Sequence, residues 1–213
     1  MIIYNALKSK FVDDVFNGTI ADDIDRAFVE HLGRHTSPNE VLSWKNSMMH
    51  MYKIMNTSEI PDDIRVAIEY QIPMTSKRID FLISGENENG RGNIVIVELK
   101  QWEHVQMTSK PGIVRARFQF GESDTSHPSY QAWSYAMLIT DYNQSVQERE
   151  MLLWPCAYLH NYRRKENDPL DEEQYETYLE DAPAFTRGQV DQLRAFIKIG
   201  VIRGDDKEIF KAR

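Results

Sequence analysis

Asp80, Glu98 and Lys100 are the residues whose types and spacing could do chemistry. Asp80 lies at one end of an apolar run, Ile79–Ile83, and Glu98-Leu99-Lys100 closes a second, Ile94–Val97. Between them is a polar stretch rich in Gly and Asn, Ser84–Asn93. Two such runs joined by such a loop predict a β-hairpin, which would bring the three residues to one rim of a sheet. Glu98 and Lys100 are i and i+2, so they leave the same face of their strand. Two carboxylates and a lysine held where apolar residues would otherwise continue are costly unless something offsets their charge. A divalent metal and a phosphodiester would do so. Hydrolysis of that ester needs a nucleophilic water and stabilisation of charge developing on the phosphate oxygens. Hard oxygen ligands such as Asp80 and Glu98 suit Mg2+ or Mn2+ and leave positions for water and phosphate. Lys100 can orient the water, lower its pKa or stabilise the phosphorane-like state. The plain alternative is a salt bridge between Lys100 and either acid.

Hydrophobic spacing predicts the elements that would position these groups. Lys8–Leu32 reads as two helical stretches separated by Asn17-Gly18, the second carrying Ile20, Ile24, Ala27, Phe28 and His31 at helical intervals. Ser37-Pro38-Asn39-Glu40 opens a stronger helix, with Ser at the cap, Pro at the first position and Glu three residues after the cap. Val41, Trp44, Met48, Met51, Tyr52 and Met55 continue it until Pro61 ends the region. Val66–Ile72, Lys77–Ile83 and Asn93–Lys100 read as three strands, Pro128 opens a helix to about Tyr142, and Met151–Leu159 is a fourth strand. An acidic linker and a helix near Gln189–Ile199 follow. We divide the chain into an N-terminal helical extension (1–36), a core (37–162) and a terminal segment (163–213). That last part either belongs to the same domain or leads into another.

A chain of 213 residues, 41% hydrophobic and 11% aromatic, suits one domain with a sizeable core. The apolar runs are too short to cross a membrane, and Met1-Ile2-Ile3-Tyr4-Asn5 lacks the pattern of a secretory signal. The lone Cys156 allows neither an internal disulfide nor a multi-cysteine zinc site. These features point to a cytoplasmic protein. The net charge of −8 is local: residues 166–181 hold eight acids and no Lys or Arg, leaving 25 basic and 25 acidic residues elsewhere. His104–Gly121 carries Lys110, Arg115 and Arg117 with no acid, which makes these three the candidates for backbone phosphate. A solvated loop is the alternative.

The order helix, three strands, helix, strand resembles the αβββαβ core of the PD-(D/E)XK nuclease superfamily. Ile79-Asp80, Glu98-Leu99-Lys100 and Gln131-Ala132-Trp133-Ser134-Tyr135 carry the resemblance, the last being similar to the Gln-x-x-x-Tyr element of RecB-like nucleases. Ile79 stands where the family name implies proline. A closer likeness, in Ser43–Ser47, Ile68–Phe81, Val97–Trp102, His127–Tyr135 and Pro155–Tyr162, is to the N-terminal domain of bacterial proteins in which a Schlafen-type P-loop helicase follows a nuclease-like domain. No Gly-x-x-x-x-Gly-Lys-Ser/Thr motif occurs here, so the motor would act in cis from a longer chain or in trans. The resemblance implies an α/β, restriction-endonuclease-like fold with a mixed central sheet and extra terminal helices. It implies Mg2+- or Mn2+-dependent cleavage of DNA in defence or repair, with the Leu99 carbonyl as a further metal ligand. RNA cleavage, a catalytically silent nucleic-acid-binding module beside a helicase, and a homo-oligomer remain open.

Several further residues have two readings. Glu40 completes a capping box, while in many relatives a glutamate on the first core helix binds metal; Glu30 is a rival on the preceding helix. Gln131 and Tyr135, i and i+4, share a helix face and could contact phosphate or orient Lys100, or simply pack the helix on the sheet. Arg78 is expected to point to the opposite strand face from Asp80 and to pair with an acid. Trp102 and Trp133 could stack on bases, although core packing is the commoner use. His31 and His35 have zinc-like spacing with no third ligand, and His160 could support the site from behind.

Overall fold

A computed structural model describes residues 1–33 and 35–204. The elements in chain order are β1 (Ile2–Leu7), α1 (Lys8–Phe16), α2 (Ile20–Leu32), α3 (Pro38–Met55), β2 (Arg65–Gln71), β3 (Arg78–Glu86) and β4 (Gly92–Lys100). Then come β5 (Val105–Met107), β6 (Ile113–Phe118), β7 (Gly121–Ser126), α4 (Pro128–Tyr142), α5 (Gln144–Glu148), β8 (Leu152–Leu159), α6 (Glu176–Asp181), β9 (Ala184–Thr186) and α7 (Val190–Gly200). The fold is α/β. A six-stranded sheet runs β1-β2-β3-β4-β8-β9; its first four strands pair antiparallel, whereas β4–β8 and β8–β9 are parallel. Among the described residues no helix is long and apolar enough to cross a membrane.

Both faces of this sheet are covered. Val95, Val97, Phe81 and Ile83 pack beneath α1, α2, α3 and α7, against Phe11, Phe28, Met48 and Ile197. Ile94, Ile96 and Leu82 pack on the other side against Ala136 and Ile139 of α4. Double burial explains why β3 and β4 read as continuous apolar runs. The alternation of β2 reverses at Glu69: Val66 and Ile68 join the first cluster, Tyr70 and Ile72 the second. Glu69 has φ 55°, a left-handed kink that resets the pleat.

The predicted hairpin is present, but its strands run further. Ser84, Gly85 and Glu86, expected in the loop, pair with Ile94, Asn93 and Gly92. The loop shrinks to Asn87–Arg91, with Asn87 Oδ1 accepting the N–H groups of Asn89 and Arg91 at 3.0 Å each. Gly85 is there because a Cβ would collide with the Val201 side chain and the Arg203 carbonyl, partners more than a hundred residues away. Three other features were not predicted. β1 adds an edge to the sheet beside β2. Residues 105–126 form a second sheet, β5-β6-β7, where only a basic stretch was read. The acidic linker is folded: Leu170 and Tyr175 are buried and β9 extends the main sheet, while the helix expected near Gln189–Ile199 is present as α7 and packs on that sheet. Residues 205–213 of the predicted terminal segment lie outside the described residues.

Gly85→Ala should overpack this contact and lower stability by about 1–3 kcal/mol. Urea unfolding of the purified variant reads the change, and an unaltered midpoint would mean that the C-terminal crossing is not rigidly packed.

Candidate active site at a strand fork

The β3–β4 ladder ends at Phe81 opposite Val97, and the strands part there. Asp80 and Glu98 come next in register. The Asp80 carboxylate replaces the missing ladder acceptor and takes the Leu99 N–H at 2.8 Å. In an extended strand a residue's N–H and C=O point to the same side. The Lys100 carbonyl faces β8, accepting the His160 N–H at 3.2 Å. The Leu99 carbonyl therefore points with its own N–H toward Asp80.

Glu98 is 2% exposed, and its Oε1 accepts two hydrogen bonds of 2.7 Å, from Lys100 Nζ and Gln131 Nε2. Lys100 also donates to Gln131 Oε1 at 3.0 Å, and Gln131 Nε2 donates to the Tyr135 hydroxyl at 2.9 Å. The lysine ammonium lies 5.4 Å above the Trp102 ring, within cation–π range. Glu98 Oε2 has no hydrogen-bond partner, and a hydrogen bond between the Glu98 and Asp80 carboxyls requires that one of the two hold a proton. Burial pushes both carboxyls above the ordinary carboxylate range; Asp80 raises Glu98 further, while Lys100 lowers both. Burial works against the Lys100 ammonium, yet Glu98 and Asp80 outweigh it and raise its pKa. Together they form one electrostatic unit.

The sequence reading missed Glu69. It lies opposite Asp80, between the pairs Tyr70–Ile79 and Ile68–Phe81, and its carboxylate accepts the Trp44 indole N–H at 3.0 Å. Burial, then the charge of Asp80, pushes its carboxyl from 4.5 up to about 7. The available signal was the one used for Asp80, an acid inside an apolar strand. Arg78 pairs with an acid, as expected, but that acid is Glu69, 3.6 Å away on the side of Asp80, so its expected opposite orientation is corrected. An i, i+2 pair in a strand shares a face.

Glu69, Asp80, Leu99 and Lys100 line a cavity of about 380 Å3, walled by Ser43, Trp44, Ser47 and Met48 of α3 and by Arg117–Gln119 of the second sheet. Gln101 ties the walls together, donating to Ser43 and Ser47. Ser47 contacts His160 at 3.3 Å, and His160 stacks on His50 with centroids 4.1 Å apart. Burial lowers both imidazoles, His50 to about 4, so they back the wall as neutral rings.

The structure does not bring every candidate here. Glu40 is exposed at the start of α3, where its carboxylate accepts the Ser37 N–H at 3.1 Å and completes the capping box. Glu40 does not line the cavity, which corrects its place in the metal set, and Glu30 is exposed on α2. Tyr135 is buried and holds Gln131, so its place as a nucleic-acid contact is also corrected. Lys110 and Arg115 both pair with Asp124, at 3.2 and 2.8 Å, and Arg117 pairs with Glu122 at 3.3 Å. Of these three only Arg117 reaches the cavity. The basic stretch is offset by acids just beyond its end, directly across the hairpin. Trp133 packs with Tyr130 and Tyr178, and His35 bonds Asp25.

No protein-family profile, curated protein or solved structure matches the chain. Among the described residues no three His, Cys, Asp or Glu side chains gather to hold a metal. The oxygen donors that the fork offers are the Asp80 carboxylate, Glu98 Oε2 and the Leu99 carbonyl. An all-oxygen set with one unpartnered anionic oxygen fits a hard divalent cation that keeps waters of its own.

Two outcomes follow from the carboxyls that stay outside this set or border it. Glu40→Ala should cost about 0.5–2 kcal/mol in urea unfolding, through the cap alone, and leave metal binding unchanged in calorimetry. Glu69 has a raised pKa, so its cost is absent below pH 4.5, grows as pH rises, and is complete above about 7. Glu69→Gln keeps an acceptor for Trp44 and should raise stability at pH 8 by up to roughly 3 kcal/mol, with no gain at pH 4. Urea titrations at the two pH values read the difference, and an equal effect at both would remove the pKa assignment.

Proposed function

We propose that the chain is a metal-dependent nuclease of the PD-(D/E)XK type that hydrolyses DNA phosphodiester bonds. The reading is supported by the succession α3, β2, β3, β4, α4, β8, which follows the restriction-endonuclease-like order, and by the position of Asp80, Glu98, Lys100 and Gln131 within it. The observation that carries it is Glu98 Oε2, a buried carboxylate oxygen without a donor, on a residue next in register with Asp80 where two strands separate. A structural salt bridge would satisfy Glu98 with Lys100 and leave no reason to bury a second acid beside it.

Bound Mg2+ or Mn2+ would polarise the phosphate and supply an acidic water. Asp80, Glu98 and the Leu99 carbonyl would hold the ion, with both carboxyls ionised. Lys100 is placed by Glu98, Gln131 and Trp102 on the cavity wall, where its ammonium can orient water and meet charge on phosphate oxygens. Gln131 fixes that geometry from α4, and Tyr135 fixes Gln131. A P-loop helicase, in cis or in trans, would deliver strands by raising the effective concentration of DNA at this cavity.

Metal binding should release the proton shared by Asp80 and Glu98, so affinity for Mn2+ should rise with pH, and calorimetry in buffers of different ionisation enthalpy should count the proton. Asp80→Ala should abolish the metal-dependent rise in melting temperature. Equal affinity in wild type and variant would sink the assignment. Lys100→Ala should lower turnover of plasmid or oligonucleotide by orders of magnitude with little loss of DNA binding. A parallel fall in binding would make Lys100 a phosphate anchor instead.

A further inference from the structure

We propose that the β6–β7 hairpin is an arm that binds unpaired DNA beside the carboxylates, with Phe118 and Phe120 as the faces on which bases stack. The inference rests on the nuclease reading for the identity of the polymer. The hairpin turns through Gln119 and Phe120, between the paired Phe118 and Gly121. Phe120, at the tip, is 93% exposed, and Phe118 is 44% exposed. Phe118 lines the same cavity as Asp80 and Lys100 and meets the Trp102 ring edge-on at 6.0 Å. Trp102 in turn lies beneath the Lys100 ammonium. An aromatic path thus leads from Lys100 to the outer tip of the arm, and a polymer that reaches the carboxylates from this side passes along it.

Charge supports stacking over phosphate grip. Arg115 and Lys110 both face Asp124, and Arg117 faces Glu122, so the cations of the arm are already paired. Few counterions would be released on binding, which gives a shallow salt dependence. Aromatic faces accept any base, but only a base whose own face is free, and within a duplex that face is covered by its neighbours. A cavity of about 380 Å3 also sits near the low end for small-molecule pockets, suiting a group the size of a nucleotide.

The test is fluorescence anisotropy of a labelled oligo(dT) and of a duplex of equal length, in EDTA so that binding is read without cleavage. Wild type should prefer the single strand and lose affinity only modestly between low and physiological salt. Phe118→Ala and Phe120→Ala should each weaken single-strand binding about 5- to 150-fold, the range for one lost stack. Duplex binding should be unchanged, and Phe120→Trp should retain single-strand affinity. Phe120 is exposed, so its variant tests the surface without disturbing the core; melting curves verify this. Unchanged oligo(dT) binding in Phe120→Ala, no measurable oligo(dT) binding, or equal losses on duplex would each overturn the proposal. Binding through the arm by a chain that cuts no substrate with Mg2+ or Mn2+ would remove the nuclease reading alone. Cleavage of single strands unaffected by both Ala variants would remove the arm alone.

Discussion

The Leu99 N–H gives its hydrogen bond to a carboxylate where a continuous ladder would offer a carbonyl, and the cavity depends on that exchange. Had β3 and β4 stayed paired beyond Phe81 and Val97, Asp80 and Glu98 would be ordinary cross-strand neighbours. Like charges there repel. Because the strands part, the Asp80 carboxylate enters the gap and takes the Leu99 N–H. Glu98 is then left buried with one oxygen satisfied and one not. Removing one partner of a buried ion pair costs about 3–5 kcal/mol, so Lys100 and Gln131 are as much a condition of the fold here as of any chemistry. The fork is where the chain stores electrostatic cost.

Both layers of helices hold this fork. From one side α4 presents Gln131, braced by Tyr135, and fixes Glu98 and Lys100. From the other, α3 presents Trp44, which bonds Glu69, the carboxyl opposite Asp80. The kink at Glu69 makes the second contact available, because it turns that residue toward α3 while Tyr70 and Ile72 return to the α4 side. A regular strand could not present Ile68 and Glu69 to the same cluster of helices. The capping box at Ser37 and Glu40 starts α3 at a fixed residue, so Ser43, Trp44 and Ser47 meet the sheet in register. Glu40 acts on the cavity only through that helix start.

Local signals explain what was legible. The helix cap at Ser37, the apolar runs of β3 and β4, the i, i+4 pair on α4 and the i, i+2 pair on β4 are all set within a few residues, and each is found where the sequence placed it. What escaped depends on distant partners. Gly85 looks like a turn residue until Val201 and Arg203 cross it. β1 and β9 are short edges defined by the strands they join. β7, Gly121–Ser126, has no apolar residue to announce it, and it exists because β6 supplies the ladder. The basic stretch follows the same rule: it is uninterrupted along the chain, whereas Arg115 and Arg117 are neutralised across the hairpin. Glu69 escaped because its pattern of alternation changes at the residue itself.

The acidic segment shows how composition and placement differ. Asp168 is buried and accepts the Tyr162 hydroxyl and the N–H groups of Lys165 and Leu170, all within 3.1 Å, so one of its eight acids is a turn acceptor. Leu170 and Tyr175 anchor the segment against Val114 and Ala116 of the second sheet. The acids of 166–181 are therefore fastened to the sheet that carries the arm over the cavity. A polyanion arriving there meets paired cations on the hairpin and acidic residues behind it, and long-range attraction does little to hold it. On the proposed function, contact chemistry would supply the affinity, through a cation held by Asp80 and Glu98, the ammonium of Lys100 and the exposed rings of Phe118 and Phe120. Such a site would act on a strand brought within reach and have little capacity to capture one at a distance.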